Sequence, residues 1–170
     1  MNDVLNLRVW SVEELAAQCA RFHGFPFELE AQAFDTARRT WTGYFLRGSS
    51  DPARVVTTRR PWLVTVTEFP VFEVRVTIHN VVDAEIQDRA QIGTYTFRHV
   101  HRTAAGCRFE FRQDCDIHIE VDGPFHAELS DVRELPETRG RITSFGFIDF
   151  GIQVGAPLAE REPWGGDTRA

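Results

Sequence analysis

The sequence predicts a mainly β protein: an antiparallel barrel of about eight strands preceded by an N-terminal helical segment. Three observations predict it. The hydrophobic period switches from 3.6 to 2 near residue 50. Beyond residue 53, strand-length runs follow one another with turn signals and no helical pattern between them. Each run also keeps one apolar face, and closing such a sheet gathers those faces inside and removes its edges. Runs of this length suit a coiled barrel wall better than a flat sandwich, with Gly146 and Gly151 as corners.

In chain order, Ser11 and Glu14 make a capping box, and Val12, Leu15, Ala16, Cys19 and Phe22 then recur on one helical face. After "HGFPF", the residues Phe27, Ala31, Phe34, Ala37 and Trp41 repeat at helical spacing and predict a second amphipathic helix. "GSSDP" marks a loop, so residues 1–48 read as a helical segment and 53–155 as the barrel domain. Strands are expected at "RVVTTRR", Trp62–Phe69, Phe72–Ile86, Ile92–Arg102, Cys107–Glu120, Phe125–Val132 and Arg141–Val154. The tail, residues 156–170, has no periodicity and reads as disordered.

Composition narrows the chemistry. All 19 basic residues are Arg, so Schiff-base lysine chemistry and a P-loop lysine are excluded. These Arg residues are spread along a chain of net charge −6, which argues against a nucleic-acid surface. No apolar run is long enough for a membrane-spanning helix and no secretion signal opens the chain, so the expected location is cytoplasmic, with no membrane partner. Three cysteines do not suggest a disulfide framework. Ser144 lies in "ITSFGF", not in a nucleophile elbow, and neither a glycine-rich phosphate loop nor a CxxC is present.

On the predicted parity, Asn80, Gln113 and Cys115 interrupt the inward apolar runs, while Tyr95, His99 and His101 share a side with Phe97. An apolar cavity with a few convergent polar groups is the usual anatomy of a small-molecule site. Gly93 followed by His99-x-His101 resembles the opening of the cupin metal motif. The Glu that motif needs next is replaced by Ala105 or Gly106, so no metal site is assigned. Asp114, Asp116 and His118 alternate with Arg108, Glu110, Arg112 and Glu120 on the opposite face, a mixed-charge ladder typical of a solvated wall.

The segment "DRAQIGTYTFRHVHRTAAGCRFEFRQDCDIHIEVDGPFHAEL" (88–129) resembles the allene oxide cyclase-like barrels, and more narrowly the spirotetronate-type polyketide cyclases that act as intramolecular Diels–Alderases. The likeness lies in "IGT", the strand ending in Arg, the Gly-containing hairpin, "QD" within a long strand, and the "DG" turn into "FHAE". It covers about a quarter of the chain, and "RGRITSFGF" stands where many relatives have a glycine-rich run. The resemblance implies an eight-stranded barrel with an apolar lumen, no redox or other cofactor, a segment near the N-terminus or a loop covering the mouth and, by analogy, a homodimer. The expected activity is a cofactor-independent [4+2] cyclisation of a hydrophobic polyene held in the lumen, where positioning alone lowers the entropic barrier. Tyr95 and Gln113 are the candidate catalytic hydrogen-bond donors to the substrate carbonyl. Asn80 and His99 would orient the substrate, with Trp62, Phe97 and Phe111 as walls. The competing expectations are a non-catalytic, calycin-like barrel for an apolar ligand and a metal enzyme built on His99 and His101.

Overall fold

The computed structural model describes residues 4–156. It is 63% strand with one short α-helix, arranged as antiparallel sheets with a curled half-barrel. The elements are β1 (Asn6–Val9), α1 (Val12–Cys19), β2 (Pro26–Glu28), β3 (Gln32–Asp35), β4 (Thr40–Gly48), β5 (Val56–Arg60), β6 (Val64–Ile78), β7 (Val81–Asp88), β8 (Thr94–Arg102), β9 (Gly106–Phe111), β10 (Cys115–Val121), β11 (Ala127–Phe145) and β12 (Ile148–Gly155). The strands divide between two sheets. One runs β1-β11-β6-β4-β3, with β5 added to β6 and β12 to β11; the other runs β2-β8-β9-β10-β7. Among the described residues no helix is long and apolar enough to cross a membrane. The tail reading lies outside the described residues from 157 onward.

The first helix forms as its cap predicts: Glu14 N donates to Ser11 Oγ at 3.1 Å, and Leu15 and Cys19 are buried. The second predicted helix is replaced by β2, β3 and β4. Phe34 and Trp41 are seven apart, a spacing that serves two helical turns and a hairpin equally. Here they face each other across β3 and β4, around a turn in which Arg38 N donates to Asp35 Oδ1 and Arg39 takes φ 53°. Pairing of β4 with β6 along Trp41–Gly48 settles the choice, since tertiary pairing outweighs a weak helical preference.

Three predicted strands are each broken by a left-handed turn, the last of them, Arg141–Val154, at Gly146 (φ 60°) between β11 and β12. The Phe72–Ile86 run turns at Asn80 (φ 60°), and the Cys107–Glu120 run turns at Gln113 and Asp114 (φ 65° and 55°). In the second case Phe111 pairs with Cys115 across a three-residue loop, so the predicted inward set Cys107, Phe109, Phe111, Cys115, Ile117 and Ile119 survives although the strand does not. In the first case a bulge at Glu120–Val121 puts Val81 into the core and leaves Val82 exposed. Conversely, "ELPETRG" is not a loop: β11 runs through it as a nineteen-residue strand. Pro136 sits where its ladder with β6 is interrupted, between Glu134 and Arg139, which is where a residue without an N–H is tolerated.

The core lies between the sheets. Val74, Val76 and Ile78 from β6, Leu129 from β11 and the rings of β4 meet Phe97, Phe109, Phe111, Ile117 and Ile119 from the facing sheet, and α1 covers one side with Leu15. β6 and β11 are longer than this core needs. Their far halves, residues 64–69 and 139–145, continue outward with β5 and β12 as flanks and form a four-stranded ribbon.

Candidate functional site

The expected lumen is filled by side chains. Phe45 lies 4.7 Å from Phe27, 5.2 Å from Phe22, 5.5 Å from Phe97 and 5.6 Å from Phe109, centroid to centroid. Trp41 adds a contact to Phe109 at 5.0 Å, and Phe27 one to Phe111 at 4.8 Å. These are the separations of rings in direct contact, with no layer of guest atoms between them. Phe97 and Phe111, expected as walls, are members of this packed cluster.

The remaining predicted residues are dispersed. Trp62 is 87% exposed at the turn between β5 and β6, far from any interior wall. Gln113 is exposed in the β9–β10 turn, where its Oε1 accepts from Thr96 N at 3.3 Å; it lines a polar groove of about 480 Å³ with Arg98, Arg108, Glu110 and Asp116. Asn80 turns the chain between β6 and β7 and donates from Nδ2 to Pro124 O at 2.9 Å. Tyr95 is buried, but its hydroxyl donates to Asp88 and accepts from Ile92 N, which clamps the β7–β8 connection. Burial, and then the Asp88 hydrogen bond, raise its phenol above the ordinary value, so it holds its proton.

His99 is exposed because the register shifts between Phe97 and His99, handing the inward place to Val100. His101, half-buried, lies 2.5 Å from Glu110 across the ladder, and Arg98 donates to the other Glu110 oxygen at 2.8 Å. Burial pushes the Glu110 carboxyl up, but the His101 hydrogen bond and the Arg98 and Arg108 charges outweigh it and hold the group below its usual value. This is an ion-pair ladder, not the cupin arrangement.

The three thiols are equally unsuited to nucleophilic work. Desolvation pushes Cys107 up to about 12 and Cys115 up to about 11, and raises Cys19 as well. None should react with an aromatic disulfide reagent at pH 8 until denaturant is added, when all three should. Because these folded values stand above the unfolded value near 9.0, the stability they contribute is complete at neutral pH and falls as pH rises from about 9. A pH series of urea melts checks the sign.

What the fold does bring together is a surface. The β5–β6 turn and the β11–β12 turn sit side by side at the end of the ribbon, joined by a hydrogen bond from Gly146 N to Leu63 O at 3.2 Å. Trp62, Leu63, Phe145, Phe147, Ile148 and Phe150 are all exposed there, with Phe147 at 98%. Trp62 and Leu63 both hold left-handed backbone (φ 67° and 60°), a conformation that favours Asn-Gly and costs bulky residues of order 1–3 kcal/mol each. The second turn is built more easily, with Gly146 at φ 60° ahead of Phe147. Arg59 and Arg60 flank the apolar end on β5, and Asp149 flanks it on β12. Sequence reasoning named Trp62 but assigned it indoors; the signal that places it is "RRPWL", a Pro-led turn between two strand runs, read against "SFGF".

The fold thus defines an antiparallel β domain with a packed aromatic core and a projecting apolar-tipped ribbon. Comparison of the chain with protein families, with curated proteins and with solved structures finds no match.

Proposed function

We propose that this chain is a binding and assembly domain whose ribbon end docks onto a second copy of itself. The observation that carries the reading is the joined pair of turns, with six large apolar side chains held in solvent and two of them in strained backbone. Exposed apolar patches beyond a few hundred Å² mark interaction surfaces. At roughly 200 Å² per fully exposed ring and somewhat less for Leu63 and Ile148, the six side chains expose about 800 Å² per copy, so two copies burying most of it would reach the range of stable interfaces. An end-to-end contact about a two-fold axis normal to the ribbon sets the β5 end of one copy opposite the β12 start of the other. Arg59 and Arg60 then face Asp149, and the charges favour that register.

The cyclase implied by the resemblance, and equally the calycin-like binder, need a hollow that the rings of Phe45, Phe97, Phe109 and Phe111 occupy. The assembly reading needs none, and the exposed tip supports it. Sedimentation velocity over a concentration series tests it. The wild-type mass should rise from 19.5 kDa towards twice that value, and Phe147→Glu should hold the protein at the lower mass. A wild-type chain monomeric throughout overturns the reading, whether or not it then binds lipid vesicles. Conversion of a linear polyene into an isomer of equal mass by the purified protein would return the cyclase.

A further inference from the structure

We propose that His79, His126 and Glu128 form a binding site for a divalent transition-metal ion of the zinc, nickel and copper class. The three lie on one face of the sheet, and the backbone puts them there. Ala127 pairs with Ile78 and His79 N donates to His126 O at 3.0 Å, so the two histidines are neighbours across β11 and the end of β6. Glu128 is two residues beyond His126 and therefore projects from the same face. One ligand atom from each lies within 4.8 Å of the others. The Nε2 atoms of both histidines are hidden from solvent, and neither has a hydrogen-bond partner. Buried imidazole nitrogens without partners cost stability, and a cation placed between them removes that cost.

The surroundings suit an ion. Two imidazoles and a carboxylate are a borderline-soft donor set, matched to zinc and its neighbours rather than to calcium or magnesium. Tetrahedral coordination at about 2.1 Å needs donors roughly 3.4 Å apart, so the three donors, within 4.8 Å of one another and with His126 Nε2 and Glu128 Oε1 at 3.8 Å, must draw together around the ion. Trp10 stacks on His126 at 4.4 Å and His126 on His79 at 4.6 Å, with the imidazoles 15° from parallel. Binding an ion therefore tilts the two rings until their nitrogen lone pairs converge and thereby disturbs the stack on Trp10. Arg8 holds Glu128 at 3.1 Å, but its side chain is 69% exposed and can swing away into solvent. A cleft of about 250 Å³ lined by Arg8, Arg75, Thr77 and Glu128 opens onto the carboxylate, while neither histidine lines it.

The stack supplies the readout. Titrating copper(II) or nickel(II) chloride into metal-free protein should quench Trp10 fluorescence with one-to-one saturation, and zinc should bind in the same stoichiometry by calorimetry. His79→Ala and His126→Ala should each weaken binding at least about 10-fold, the scale that even outer-shell partners of a metal show. Glu128→Gln, which keeps the shape, should weaken it less. His99→Ala/His101→Ala should change nothing. Failure to saturate by about 1 mM ion overturns the site, as does affinity retained in both the His79 and Glu128 variants. Should His126→Ala not fold, those two variants decide alone.

Discussion

Arg47→Ala should destabilise the protein by about 3–5 kcal/mol, one of the two largest losses expected from any single substitution. Arg47 is 2% exposed, and its Nε and Nη2 reach the two Asp131 oxygens at 3.0 and 2.6 Å. Leu5 N donates to the same carboxylate at 2.7 Å, and the guanidinium lies 4.5 Å over the Phe72 ring. The pair therefore ties β4 to β11 across β6, at the point where the ribbon leaves the core. Removing the cation strands a nearly buried carboxylate, which costs far more than the pair itself is worth. Replacing both partners with apolar residues, as in Arg47→Met/Asp131→Leu, should accordingly recover most of the loss. Urea unfolding of the two variants checks this; a single substitution costing under about 1 kcal/mol would mean that the carboxylate finds water.

Phe45→Ala should cost a similar amount, about 3–5 kcal/mol, because Phe45 touches Phe22, Phe27, Trp41, Phe97 and Phe109 and its neighbours are pinned in both sheets. The substitution also makes a positive prediction. The cavity it leaves is lined by apolar rings and should stay dry, so it should take up benzene or xenon and regain melting temperature when they are added. The wild-type protein should show no such response. A wild-type melt raised by small apolar ligands would mean that the aromatic core contains usable space.

The β class and most of the core were legible in the sequence because period-2 alternation reports burial directly. Cys107, Phe109, Phe111, Ile117 and Ile119 are inward as read, even though the strand carrying them folds into a hairpin. A three-residue loop preserves parity, so the error in topology left the burial pattern intact. Parity failed at Val82, the extra residue of a bulge beyond which Ala84 and Ile86 again pair with the inward Ile119 and Ile117, and at His99, where a bulge hands the inward place to Val100. The segment 27–41 failed for a different reason: its apolar spacing fits a helix, and only the partner strand β6, distant in sequence, decides otherwise. The functional residues were harder. Asn80 and Gln113 were read as polar breaks in inward-facing runs and Trp62 as a piece of the apolar wall, whereas each sits in a turn with positive φ. His79, His126 and Glu128 were missed because their proximity depends on register between β6 and β11, to which local spacing offers only "HAE" as a hint.

The tip variant Trp62→Asn/Leu63→Gly separates assembly from folding in one protein. It replaces two bulky residues in left-handed backbone with the pair that this turn prefers. If the exposed ribbon end exists to join copies, the variant should melt at a higher temperature when compared with the wild type at concentrations where both are monomeric, and should sediment at 19.5 kDa at every concentration. A variant that still doubles its mass as concentration rises would place the contact elsewhere and contradict the account.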